Sequence, residues 1–339
     1  MIILRRKLYP ALAMLLSLAT VPGVLAQSAD YDNADPIVAT IAGYSARGMV
    51  SVLGEGQATA VRTAYPGSNV VYEPGNPAGS FVAVVNGERE FALETVIEMK
   101  LADEGAAPFT ESYAGKYSLV TALSPNLTLA HSYGRAEFLD ENNIKTFQDI
   151  KDRKIPVRLG INQPGNLWAR AHVHAILAQF DLTVEEIVAN GGTLIEQSTG
   201  PTMELMKDGR VDIEITGGFV PIGSMIELNS VTQLRFLPLT SEQAKGAADA
   251  MGIAVGVIPA GSYDFQTEEL SVPASTHYII AGPKATDEQV FKLAKALDKE
   301  LSIYQAMHPA LAAITKEQIV PEVDGIPVHP AAAAYYSSR

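Results

Sequence analysis

Apolar residues in this chain come in short strand-like runs, each followed by a glycine-containing loop and then by a stretch with helical spacing. PIVATIA (36–42) passes through the loop GYSARG (43–48) into MVSVLGEGQATAVRTA (49–64), where Leu53, Gln57, Ala60, Val61 and Ala64 share one helical face. NVVYE (69–73) then reads as a strand, GNPAGS (75–80) as a turn, FVAVVNGE (81–88) as a short helix, FALET (91–95) as a strand and VIEMKLADEG (96–105) as a helix. The same order returns from IPVRLGI (155–161), with NQPGN (162–166) as the loop and LWARAHVHAILAQF (167–180) as the helix. TLIEQ (193–197) and VDIEIT (211–216) follow as strands, each leading through a turn or loop into a further helix. This predicts two βαβαβα units, each a mostly parallel sheet flanked by helices, because parallel neighbours need crossovers of this length. Ligand sites in such sheets lie at the carboxyl ends of the strands. Facing units would therefore enclose a cleft between GYSARG, GNPAGS and Glu94-Thr95 on one side and NQPGN, STGPT and Thr216-Gly217-Gly218 on the other.

The first 26 residues stand apart from this pattern. MIILRRKLYPALAMLLSLATVPGVLA has a basic start, an apolar middle and small residues at its end, the form of a secretory signal cleaved after Ala26. The whole chain of 339 residues has a formal charge of −13, and the signal holds Arg5, Arg6 and Lys7 and no acid, so the mature part is more acidic still. Such a balance opposes nucleic acid as a partner. There is no cysteine, hence no disulfide and no thiolate nucleophile, although a secretory signal sends the chain to an oxidising compartment.

Candidate chemistry is sparse. GYSARG is too short for a dinucleotide fingerprint and no P-loop lysine follows it, which leaves a helix N-terminus carrying Ser45, Arg47 and Gly48. Arg47 could grip a carboxylate in bidentate fashion, and Arg170, four residues after the expected N-cap Asn166, could do the same from the other wall. Glu94 is the odd polar residue in FALETVIEM and needs a partner, either a ligand ammonium group or an internal arginine. His172 and His174 stand two apart on a helix and cannot share a metal ion; the other histidines have no neighbour at ligand spacing. No serine sits in G-x-S-x-G, so the enzyme signatures are missing.

Several segments in order resemble the TAXI-type solute receptors of TRAP (tripartite ATP-independent periplasmic) transporters. They are IVATIAGYSARGMVSVL, TFQDIKDRKIPVRLGINQPGN, MELMKDGRVDIEITGG, LRFLPL, VIPAGSY and the tail VPEVDGIPVHPAAAAYY. The resemblance implies a two-lobe α/β fold of the periplasmic-binding-protein type II kind, no cofactor and no catalysis. Capture of a glutamate-like or other carboxylate-bearing solute and delivery to integral-membrane TRAP subunits follow from it as well. It further implies that lobe 1 comprises residues 35–125 and 239–339 and lobe 2 residues 126–238, with crossings near Asn126 and Pro238. The site it implies has Ser45, Arg47, Gly48, Asn76, Ser80 and Thr95 on one wall, and Asn166, Trp168, Thr199, Gly217, Gly218 and Phe219 on the other; the residue-level reading adds Glu94 and Arg170. Two departures fall at the cleft: the first loop has Ala46-Arg47-Gly48 where the family is richer in glycine, and FALETVIEM replaces a Gln-Ser-Asp segment. The alternatives are a receptor for an ABC importer and a secreted enzyme acting on an acidic substrate.

Overall fold

The computed structural model describes residues 31–46 and 50–339; the expected signal, residues 1–26, lies outside them, as do Arg47 and Gly48. In chain order the first elements are β1 (Val38–Ala42), α1 (Ser51–Ala64), β2 (Asn69–Glu73), α2 (Pro77–Val85), β3 (Phe91–Thr95), α3 (Val96–Glu104), β4 (Ser118–Ala122) and β5 (Thr128–Arg135). Next come α4 (Ala136–Glu141), α5 (Phe147–Arg153), β6 (Arg158–Gly160), α6 (Leu167–Ala178), α7 (Val184–Ala189), β7 (Thr193–Ile195), α8 (Thr199–Lys207), β8 (Ile213–Gly218), α9 (Gly223–Val231) and β9 (Leu234–Phe236). The remainder holds α10 (Ser241–Met251), β10 (Ala254–Ile258), β11 (Leu270–Ser275), β12 (His277–Ala281), α11 (Asp287–Lys299), α12 (Leu301–Gln305) and α13 (Pro330–Ser338).

The strands form two sheets. In the first the order is β2-β1-β3-β12-β4, with β1 parallel to β2 and β3 and with β12 antiparallel to both of its neighbours. In the second the order is β10-β11-β5-β8-β6-β7, with β9 paired to β5. There the parallel frame is limited to β6, β7 and β8, while β5 and β11 run antiparallel to their partners. The expectation of a mostly parallel sheet therefore fits β1–β3 and β6–β8; β5, which enters the second sheet, and β12, which re-enters the first, run the other way.

The chain leaves the first sheet between β4 and β5 and returns to it at Thr276, between β11 and β12, rather than near Pro238 as expected. Residues 239–275 stay with the second sheet for a physical reason. Helix α10 buries Ala244, Ala247 and Ala248 and packs on α6 and β11, and β10–β11 adds an antiparallel pair to β5. The two crossings run side by side. The Asn126 N–H donates to Thr276 Oγ1 at 2.9 Å, and the Leu123 N–H donates to the His277 carbonyl at 2.8 Å. Asn126 itself sits at φ 53, a left-handed conformation that asparagine tolerates better than most residues.

Each sheet has its own core. Ile41, Leu53, Phe91, Leu93, Leu293 and Tyr304 are fully buried around the first, and Tyr133, Phe147, Leu159, Met206 and Ile213 around the second. Burial of side chains this size contributes about 1.5–3 kcal/mol each, so each lobe carries its own stability and the contact between them is free to be specialised. Among the described residues no helix is long and apolar enough to cross a membrane.

Candidate functional site

The loops at the carboxyl ends of β1 and β8 and the N-terminus of α6 meet at a cavity of about 40 Å³. That is room for only two or three waters, so the walls nearly touch. Tyr44, Ser45 and Val50 face it from the first lobe; Asn162, Asn166, Trp168, Ser198, Thr199, Thr216 and Gly217 face it from the second. The second wall is a connected neutral network. Asn166 Nδ2 donates to Asn162 Oδ1 at 3.2 Å, Asn162 Nδ2 donates to Thr199 Oγ1 at 3.2 Å, and the Thr199 and Thr216 hydroxyls are 3.0 Å apart. Asn166 caps α6 as the sequence predicts, its Oδ1 accepting the Ala169 N–H at 3.1 Å. Amides and hydroxyls of this kind can donate to or accept from a polar solute, and the described residues lining the cavity bring neither an ionised side chain nor a nucleophile with a base beside it.

Trp168 joins the lobes. Its ring is 4 % exposed, its Nε1 donates to Ser275 Oγ at 2.7 Å, and its backbone N–H donates to Glu98 Oε1 of the first lobe at 2.8 Å. The indole lies on the His172 ring, centroids 4.0 Å apart, and over the bare face of Gly217. Farther along the seam the Ala78 N–H donates to the Gly165 carbonyl at 3.3 Å, and the Asn76 side chain fills the space a Cβ on Gly165 would need. Alanine at 217 would press its Cβ into the Trp168 ring and to 2.7 Å from the Leu129 carbonyl oxygen. Gly217→Ala is accordingly expected to destabilise the protein by about 1–3 kcal/mol, the usual cost of overpacking. Gly200→Ala, where nothing lies within 4 Å, should leave stability unchanged; thermal unfolding of both variants checks the pair.

Beneath Tyr44 the first lobe holds two carboxyl groups, Glu94 and Glu98, both fully buried. Glu98 is the N3 residue of α3 and completes a capping box with Thr95: the Thr95 N–H donates to Oε2 at 3.2 Å and the Thr95 hydroxyl donates to the same oxygen. Burial raises the Glu98 pKa, opposed by these hydrogen bonds and by that from Trp168. Neither oxygen of Glu94 has a hydrogen-bond partner, and burial, reinforced by Glu98, raises its pKa well above the ordinary carboxyl range. Two imidazoles lie at the same seam. His277 Nδ1 is held by Thr128 Oγ1 at 3.1 Å and Ser124 Oγ at 3.3 Å, and His172 Nδ1 donates to the Trp168 carbonyl at 2.7 Å. Burial pushes His172 down to about 4 and, helped by His172, His277 down to about 3, so both are neutral at pH 7.

Of the residues expected from the sequence, Ser45, Asn166, Trp168, Thr199 and Gly217 converge on the cavity. Others do not. Arg170 does not line it and pairs with Glu196, just past the end of β7, at 2.8 Å within its own lobe. Glu94 meets neither a ligand-facing surface nor an arginine. Ser80 is consumed structurally, its hydroxyl donating to the Gly43 carbonyl at 3.0 Å, and Asn76 caps α2. Thr95 is a buried cap, Gly218 ends β8 opposite Leu129, and Phe219 packs into the first lobe's core beside His308. Arg47 and Gly48 lie outside the described residues. Sequence reasoning did not single out Tyr44, Val50, Asn162, Ser198, Glu98 or Ser275. The signal available for Glu98 was the T-x-x-E spacing of a capping box, and for Asn162 and Ser198 only their place beside named loop residues. Among the described residues no group of three or more histidines and carboxylates could hold a metal ion.

Two α/β lobes joined by paired crossings, with a polar cavity at the strand ends, define the periplasmic-binding-protein type II-like fold. The chain belongs to the NMT1-like family, whose profile matches residues 45–338. Among solved structures it is similar to MatC from Rhodopseudomonas palustris with bound malate, with a TM-score of 0.54 and 12% identity over 89% of this chain and 95% of that one. It is also similar to PhnD1 from Prochlorococcus marinus in complex with methylphosphonate, with a TM-score of 0.54 and 9% identity over 86% and 94%. A binding-protein component of an ABC phosphonate transporter from Pseudomonas aeruginosa gives a TM-score of 0.52 and 11% identity over 82% and 80%. At these identities the likeness is one of fold.

Proposed function

We propose that this protein is a periplasmic solute receptor that closes the cavity between its lobes around a small, carboxylate-bearing organic solute, releases it unchanged, and delivers it to TRAP-type membrane subunits. The observation that carries this reading is the cavity itself: a connected set of neutral amides and hydroxyls faces Tyr44 and Ser45 across a seam bridged by Trp168. Such a shell can hold a carboxylate by hydrogen bonds alone, with the solute's apolar part against the two aromatic rings. Opening the lobes would enlarge the cavity, the hinge closure common to two-lobe receptors. Two proteins of this fold hold small oxyanions, malate and methylphosphonate. The choice of TRAP subunits rests on the ordered sequence segments described above, and a complex with an ATPase in their place would favour the ABC alternative.

Trp168 is the chain's single tryptophan, so its emission reports on the cavity directly. Titration of the purified protein with small mono- and dicarboxylates is expected to give a saturable, one-to-one change in that emission, and mass spectrometry should recover the solute intact. Steady turnover of the titrant, or no response to any carboxylate, would overturn the reading.

A further inference from the structure

The first turn of α6 is the donor that a solute anion would be expected to use, since helix N-termini present unpaired N–H groups and the positive end of the helix dipole. In this protein it already has an occupant. The Trp168 N–H is taken by Glu98 Oε1 from the opposite lobe, and the Ala169 N–H by Asn166 Oδ1. Glu98 is held for that task from its own side. Thr95 fixes its other oxygen through the capping box, so Oε1 is left pointing across the seam, where the Tyr44 hydroxyl also approaches it at 3.4 Å. Ile97, Trp168 and Ala169 form a small apolar cluster over this bond, which keeps water from it. When the lobes part, the Trp168 N–H loses its partner, Oε1 keeps only the 3.4 Å contact with the Tyr44 hydroxyl, and the cluster is exposed.

We propose that Glu98 is the positioning residue for closure: an internal carboxyl group that caps α3 with one oxygen and latches the N-terminus of α6 with the other, so that the closed arrangement is held in part by the protein itself. The latch also keeps an anionic solute group off the α6 N-terminus and confines it to the shell of Asn162, Asn166, Thr199 and Thr216. The proposal rests on the receptor reading for its effect on solute affinity, but the latch can be measured without solute.

The two bonds of Glu98 can be separated. A glutamine side chain offers one acceptor and one donor, whereas Glu98 accepts from two backbone N–H groups. Glu98→Gln can therefore keep the bond to Thr95, as glutamine does in many capping boxes, only by turning its NH₂ toward the Trp168 N–H. In that orientation it breaks the latch and keeps the cap, and a melting temperature close to wild type marks it; the reverse orientation keeps the latch and loses the cap. Because the chain has no cysteine, Glu111→Cys and Glu204→Cys place spin labels at exposed sites, one on each lobe. Pulsed electron-resonance distances in the solute-free protein are expected to show a short inter-lobe population that falls roughly tenfold relative to the open one in Glu98→Gln and further in Glu98→Ala, the scale of one hydrogen bond. Thermal unfolding of Glu98→Gln should stay close to wild type. Unchanged distance distributions in Glu98→Gln and Glu98→Ala would overturn the latch; where Glu98→Ala does not fold, Glu98→Gln decides alone. Failure of the emission titration with normal distances would instead count against the receptor reading.

Discussion

Trp168→Ala is expected to lower solute affinity roughly a hundredfold or more, since truncating a buried aromatic costs about 3–5 kcal/mol and this one is spent at the contact between lobes. Three supports go at once. The Ser275 hydroxyl, fully buried, loses the indole N–H that donates to it. The His172 imidazole loses the ring packed against it, and Gly217 loses the surface that covers its bare backbone. The void falls beside the cavity, so water enters where the solute's apolar part should pack. Trp168→Phe keeps an aromatic ring but loses the Nε1–H and the second ring of the indole; a loss of at least about tenfold, smaller than that of Trp168→Ala, is expected from the unpaired Ser275 hydroxyl and the reduced packing. Isothermal calorimetry with the solute identified through wild-type emission measures both. An affinity of Trp168→Ala within threefold of wild type would show that the indole is a structural plug at the lobe edge and not part of the binding seam.

How much of this was legible in the sequence depends on the range of the interaction that fixes each feature. NVVYE and FALET are β2 and β3 residue for residue, because alternation or dense apolarity bounded by turn residues is a local property. The helix after GNPAGS begins at Pro77, four residues earlier than the apolar run suggests, since Asn76 accepts the Gly79 N–H and proline suits the first helical turn. Strand β5 gave no readable period: all but its last residue are buried, including His131 and Ser132, so polar and apolar positions do not alternate. The lobe boundary was misplaced for a related reason. Sequence spacing cannot tell that β10 and β11 pair antiparallel onto β5, and that pairing is what keeps residues 239–275 in the second lobe.

The site shows the same division. Asn166 was legible as a cap because a cap carries its position in the local pattern, whereas Thr199 came from the family resemblance. Arg170 misled because spacing puts it near the face of Asn166 but says nothing of Glu196, which lies 26 residues away and claims the guanidinium. Glu98 shows both halves at once: its capping role is written in the spacing from Thr95, while its bond to Trp168 spans 70 residues and two lobes. Local chemistry was visible, and partners across the seam were not.

Stability should peak between about pH 4.5 and 6.5 and fall on the alkaline side, with Glu94→Gln and Glu214→Gln flattening that fall. Glu214 is fully buried with the Tyr133 hydroxyl donating to it, and burial raises it to about 8; Glu94 is pushed well above the ordinary range by burial and by Glu98. A carboxyl whose folded pKa is raised binds its proton more tightly in the native state. Its contribution is complete below the unfolded value near 4.5 and is lost as pH climbs through the folded one. The buried histidines act in the opposite sense. His131 and His172, held down to about 4, and His277, to about 3, take up protons more readily when unfolded, so their contribution is complete above about 6.5 and is lost as pH falls toward those values. Above pH 6.5 the histidines have nothing more to add and the acids alone set the slope. A shift the size of Glu214's corresponds to a few kcal/mol lost by pH 9, or roughly 5–10 °C in Tm. Neutral glutamine removes that dependence at either position, so each variant should gain on wild type as pH rises from 6.5 to 9 and differ little from it at pH 4.5. Scanning calorimetry across that range is the measurement. Variants whose Tm declines in parallel with wild type would show that Glu94 and Glu214 are ionised in the native protein, held by a partner or a water path that their burial conceals.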